Sequence, residues 1–217
     1  MTASSLIDEQ LFNAQLAINN ALGQPDILAD LSRFGYDEAK INAGKDLLTQ
    51  AEILVEQQRV EYGEQYQISE DLNQAYQAAD EAYRMTLKIA RVAFKGNIKA
   101  GQSMDLNGRR KQSMDGWAKQ TQTFYNNLLA EPDFIVRMGN FGYDQSKLES
   151  ERDAVVQVVQ LKDQQEVEKG EAQQLTKNRD VALDALDEWL SDFKEVAEVA
   201  LIAAPQRLEM LGFGVIA

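Results

Sequence analysis

The sequence predicts an all-α protein, an elongated antiparallel helical bundle built from two tandem, pseudo-twofold-related repeats. Three observations predict it. The chain of 217 residues holds three prolines and few β-branched runs, a composition that favours helix over sheet. The string Phe34-Gly35-Tyr36-Asp37 returns 107 residues later as Phe141-Gly142-Tyr143-Asp144. Laying residues 6–94 on 113–201 without a gap matches 29 of 89 positions, and repeats of this kind are sought before local features are interpreted. The domain reading is one helical domain over 1–217, with internal repeats 6–94 and 113–201, a basic connecting segment 95–112 and an apolar C-terminal tail 202–217.

In chain order, residues 5–21 carry an apolar stripe through Leu6, Ile7, Leu11, Leu16 and Ile18, and Gly23-Gln24-Pro25 ends it. Pro25 at a first helical position and Asp26 in the first turn suit a new helix start. Ile27, Leu28, Leu31 and Phe34 form the expected buried face of that short helix. Gly35 fits the left-handed C-terminal position, Tyr36 packs the corner and Asp37 caps the next helix.

From Asp37 to Phe94 there is no proline. Steps of three and four residues run through Leu48, Ala51, Val55, Gln58, Tyr62, Gln65, Ser69, Leu72, Tyr76, Ala79, Tyr83, Thr86, Ala90 and Ala93, as a coiled-coil-like helix requires. One helix over 38–94 would extend about 85 Å. The second copy repeats the register from Val155 to Ala200, and both copies turn polar in the middle around Gly63 and Gly170. The alternative is a compact bundle with the long helices broken near those glycines.

Residues 95–119 carry a net +4 in a chain of net −13, and Asn107-Gly108 reads as a turn. Ser113 can cap a helix anchored by Trp117, Phe124, Leu128 and Leu129. Ala204-Pro205 redirects the chain, and the ending from Gly212 is apolar, suited to a groove on this bundle, on another subunit or on a partner.

The charge balance disfavours nucleic acid and acidic bilayers as partners. Without cysteine or histidine, disulfides, thiolate nucleophiles, imidazole acid-base pairs and His-ligated metals are excluded. Residues 1–14 lack signal-peptide features, and no stretch reaches the roughly 18 apolar residues of a membrane span; the expected location is cytoplasmic. No catalytic residue, cofactor or metal site is assigned. Arg109, Arg110 and Lys111 are candidates for an anion or a protein partner, through charge-assisted hydrogen bonds. Tyr36 and Tyr143 are candidate ligand contacts at the corners. Asp80, Glu81, Asp187 and Glu188 are cation candidates because the acidic pair recurs, although the spacing of a calcium loop is absent.

The duplicated corner, Tyr62-Gly63-Glu64-Gln65, Gly108-Arg109-Arg110 with Trp117, Phe124-Tyr125 and Leu208-Glu209-Met210-Leu211-Gly212 together resemble an uncharacterised bacterial all-helical family. The resemblance covers nearly the whole chain and implies no activity. The leading functional expectation is a non-enzymatic scaffold or protein-interaction module, plausibly a homodimer. The second is a small-ligand or cation binder using an inter-helix pocket, and the third a hydrolase using carboxylates alone.

Overall fold

The computed structural model describes residues 3–214, and every regular element among them is helical. Helices α1 (Ala3–Gly23), α2 (Pro25–Ser32), α3 (Glu38–Ala93) and α4 (Ile98–Ser103) are followed by α5 (Met114–Leu129), α6 (Pro132–Gly139), α7 (Gln145–Ala200) and α8 (Pro205–Met210). The bounds of α2 and α6, of α3 and α7, and of α4 and α8 lie 107 residues apart at both ends. Segment 95–112 therefore holds a helix, α4, at the same offset from α8.

The two 56-residue helices run without interruption through Gly63 and Gly170. The break considered at these positions is absent: one glycine lowers helix propensity by only about 1 kcal/mol, and long flanks carry it. A Cβ built on either glycine meets nothing within 4 Å, so close helix packing is not their reason.

Local chemistry sets the corners. The Tyr36 N–H donates to the Leu31 carbonyl at 3.2 Å and Gly35 N–H to Ser32 at 3.2 Å, with Gly35 at φ +85. Tyr143 to Met138 (3.2 Å) and Gly142 to Gly139 (3.0 Å), with Gly142 at φ +80, repeat this paired closure, which satisfies the last carbonyls of a helix. The next helix is capped at once, because Asp37 Oδ1 accepts from Lys40 N and Asp144 Oδ1 from Lys147 N, both at 2.9 Å. Phe34 departs from expectation: it is 50% exposed and Phe141 45%. In each case the residue just before the left-handed glycine turns off the face defined by Ile27 and Leu31, or by Phe134 and Met138.

The chain divides into two compact units, one comprising residues up to Tyr62 and from Glu171 onward, the other Gly63–Gly170. In the first unit α1, α2 and α8 pack with the N-terminal part of α3 and the C-terminal part of α7. Fully buried Ala14, Ala17 and Ala21 line α1, while Trp189, Phe193 and Phe213 supply bulk. Trp189 stacks on Phe193 at 5.0 Å, and Phe193 meets Tyr36 at 5.3 Å and Phe213 at 5.9 Å. A Cβ on Gly44 would lie 2.3 Å from the Trp189 ring, so the indole occupies the place of a side chain. The described part of the C-terminal tail is built into this core through Leu208, Leu211 and Phe213; Val215 to Ala217 lie outside the described residues.

In the second unit α4, α5 and α6 pack with the C-terminal part of α3 and the N-terminal part of α7. Its centre is Trp117, Tyr83, Phe124, Tyr125, Leu128 and Met138. Tyr83 and Phe124 meet edge-on at 5.4 Å, as do Phe124 and Tyr125 at 5.0 Å, the geometry aromatic quadrupoles prefer.

These environments predict opposite outcomes for three Gly→Ala changes measured by urea unfolding. Gly63→Ala and Gly170→Ala should each raise stability by about 1 kcal/mol, whereas Gly44→Ala should lower it by about 1–3 kcal/mol through overpacking. A neutral Gly44→Ala would contradict the wedge assigned to Trp189.

Candidate functional site

In the first unit, Ile53, Glu56, Gln57, Val60 and Glu61 lie on one side of α3 at helical spacing and meet Leu175 of α7 around a cavity of about 610 Å³. Glu61 is only 9% exposed. A carboxylate oxygen of Glu61 lies within 4.8 Å of one from Glu171. The register read from the sequence placed Tyr62 inside; the structure exposes Tyr62 and buries Glu61. Neighbouring polar groups are used internally: Gln58 Nε2 donates to Thr176 Oγ1 at 2.7 Å and Arg179 donates to Gln58 Oε1. These bonds satisfy a glutamine that burial would otherwise penalise.

The second unit holds a network around Asp80. Its Oδ1 accepts from Trp117 Nε1 at 2.9 Å and from the Arg110 guanidinium. Gln120, also buried, fastens the loop before α5: its Nε2 donates to Asp105 Oδ2 and to the Arg109 carbonyl, both at 3.1 Å, and its Oε1 accepts from Lys111 N at 2.9 Å. Arg91 donates to the carbonyls of Leu106 (2.6 Å) and Gly108 (3.1 Å).

Deeper in this unit, Glu151 Oε2 accepts from Thr86 Oγ1 at 2.5 Å and from the Tyr125 hydroxyl at 2.9 Å. Burial, then the Glu151 charge, push the Tyr125 phenol well above its ordinary value. Burial raises Tyr83 to about 12.

The residues singled out from the sequence are thus dispersed. Asp80 and Arg110 come together as an ion pair inside the second unit. Arg109 and Lys111 are exposed and enter the Gln120 network through backbone groups. Tyr36 is buried against Trp189 and Phe193, with Lys40 Nζ 5.6 Å from its ring centre, and burial raises its pKa. Tyr143 is half-buried with Lys147 Nζ 3.9 Å over its ring. Glu81, Asp187 and Glu188 are exposed; Asp187 lies with Asn13 and Lys194 on a separate cavity of the first unit. Glu61 and Glu171 are not among the residues singled out from the sequence. A signal for them existed, since Glu61 recurs as Glu168 and Glu64 as Glu171 at the 107-residue offset.

No described helix is long and apolar enough to cross a membrane. Compared with family models, with curated proteins and with solved structures, the chain matches none.

Two outcomes test the second-unit network. Asp80→Ala should lower stability by about 3–5 kcal/mol, because it strands a buried indole N–H and a partly buried guanidinium; urea unfolding reads this, and a loss below about 1 kcal/mol would refute the pairing. For Tyr83, folded and unfolded chains both keep the proton below the ordinary tyrosine value of 10.0. Above it the unfolded chain ionises first, so stability falls until about pH 12, by about 2–3 kcal/mol at 1.36 kcal/mol per unit. Across that window the fall should be smaller by about that amount in Tyr83→Phe, with the part due to Tyr125 and Tyr36, whose pKa values are also raised, remaining.

Proposed function

We propose that the protein is a small-ligand-binding protein whose pocket between α3 and α7 in the first unit takes a cation, an alkylammonium group seated against Glu61 and Glu171. The observation that carries this reading is Glu61, a carboxylate 9% exposed on a cavity wall and within 4.8 Å of a second carboxylate. Two carboxylates this close make the cavity wall anionic, and such a wall attracts positive charge. Ile53, Val60 and Leu175 on the same cavity suit the methylenes of an organic cation. A hard divalent ion takes six or more oxygen ligands, which favours the ammonium over the metal. A chain of net −13 concentrates cations at its surface, which speeds their capture.

The matching bounds of α2 and α6, α3 and α7, and α4 and α8 support a tandem duplication. In that reading Glu61 and Glu171 descend from two different positions of one ancestral helix, now set opposite each other. A second reading, a protein-interaction module, is supported by the half-exposed Phe34 and Phe141 at the two corners.

Calorimetric titration of the full chain with 1,4-diaminobutane and spermidine, beside magnesium and calcium at matched ionic strength, tests the first reading. Saturable binding of a diamine is expected, weakened about tenfold, or 1.4 kcal/mol, in Glu61→Gln and in Glu171→Gln. Absence of saturable heat, or binding by both variants as tight as by the wild type, sinks it.

A further inference from the structure

The second unit contains a cavity of about 570 Å³ where α3 ends and α4 begins, with Arg91, Lys95, Asn97, Gln102 and Asn107 among its lining residues and no acid there. In a chain with 35 acidic and 22 basic residues, an acid-free lining with two cations sets this place apart. Arg91 is held in orientation by its bonds to the Leu106 and Gly108 carbonyls. Two of its five N–H donors are used in these bonds, and a guanidinium already fixed loses little freedom on binding. Asn97 Oδ1 accepts from Ala100 N at 3.0 Å, which fixes that amide too.

The first unit supplies an internal comparison. At positions 107 residues further on, Arg91 is matched by Glu198, Lys95 by Ile202, Asn97 by Ala204 and Gln102 by Glu209. Gly101, on the cavity wall, is matched by Leu208, whose side chain is buried in the first core. Helices α4 and α8 keep the same bounds despite these changes. The polar lining is therefore not a requirement of the fold, and a leucine at 101 would project into this space.

We infer that this cavity is a second ligand site, of opposite charge to the pocket at Glu61, and that it binds the phosphate monoester of a small polyol or sugar. A monoester carries about −1.5 to −2 charges near neutral pH, which Arg91 and Lys95 balance, and guanidinium–phosphate hydrogen bonds are among the strong ones. The cavity is far larger than a bare phosphate, within the roughly 300–1,000 Å³ of small-molecule sites. The amides of Asn97, Gln102 and Asn107 are suited to hydroxyl groups.

The test is titration of the full chain with glycerol 3-phosphate and glucose 6-phosphate, with inorganic phosphate, glucose and succinate alongside at matched ionic strength. Wild type is compared with Lys95→Ile, an exposed position given the residue of its counterpart, and with Gly101→Leu. Saturable binding of at least one ester is expected, with phosphate, glucose and succinate about tenfold weaker or more, and a loss of about tenfold or more in each variant. Circular dichroism and urea unfolding certify that a variant is folded; should Gly101→Leu fail to fold, Lys95→Ile alone decides. Succinate or inorganic phosphate binding as tightly as the esters, undiminished binding in folded Lys95→Ile, or no ester binding overturns the inference. Glu61→Gln should leave ester binding unchanged, so this site and the cation pocket fail or stand separately.

Discussion

In each unit, an antiparallel seam between α3 and α7 decides what else can pack. In the first unit Gly44 faces Trp189 and Gln58 faces Thr176; in the second, Ser69 faces Gln165 and Thr86 faces Glu151. Along α3 the buried positions combine small and large side chains, as at Ala79, Tyr83, Leu87 and Ala90. Helix propensity alone does not hold such a helix in water, and burial of one face supplies the remainder. The short helices complete that burial: α1 approaches through three alanines, while α5 brings Trp117, Phe124, Tyr125 and Leu128.

One layer of that seam shows two chemistries on one backbone plan. Thr86, Glu151 and Tyr125 are joined by hydrogen bonds in the second unit. At the 107-residue offset their counterparts are Phe193, Gly44 and Ile18, and Trp189 fills the space over the glycine. A half-buried acid is tolerated where a hydroxyl and a phenol donate to it. Where those donors become Phe and Ile, the acid becomes glycine and an aromatic ring takes its volume. A change at one of the three positions alone would leave an unpaired donor or acceptor, or a clash with the ring.

The features legible in the sequence were those governed by local rules. The helical class, the long helices and the corner glycines follow from proline placement, register and the left-handed C-terminal position. Ser113 caps α5 as expected, accepting from Gly116 N at 3.2 Å. The apolar spacing places Phe34 on the buried face, but the turn into Gly35 rotates it outward. The register admits either 61 or 62 at this level, and the apolar character of Tyr62 masks the burial of Glu61. Asp80 was legible as an acid but not as the partner of Arg110 and Trp117, which lie 30 and 37 residues away. Lys95 is legible only as part of the basic segment and Arg91 lies outside it, although comparison with Glu198 and Ile202 reveals the reversal.

That reversal has a structural counterpart in how the two short helices are fastened. On α8, Arg207 donates to Asp30 at 2.6 Å and to Asp26 at 3.2 Å, tying α8 to α2. Its counterpart on α4 is Ala100, fully buried. The second unit instead holds its α4 region by Asn127 Nδ2 donating to the Ser103 carbonyl at 2.6 Å and by Arg91 donating to the carbonyls beyond α4. An ion pair with a carboxylate neutralises an arginine, whereas a bond to a neutral carbonyl leaves its full charge in the field. The first unit thus fastens its short helix by cancelling charge. The second fastens the corresponding region while keeping a cation on the wall of a cavity, and that difference in bonding gives the cavity its positive character.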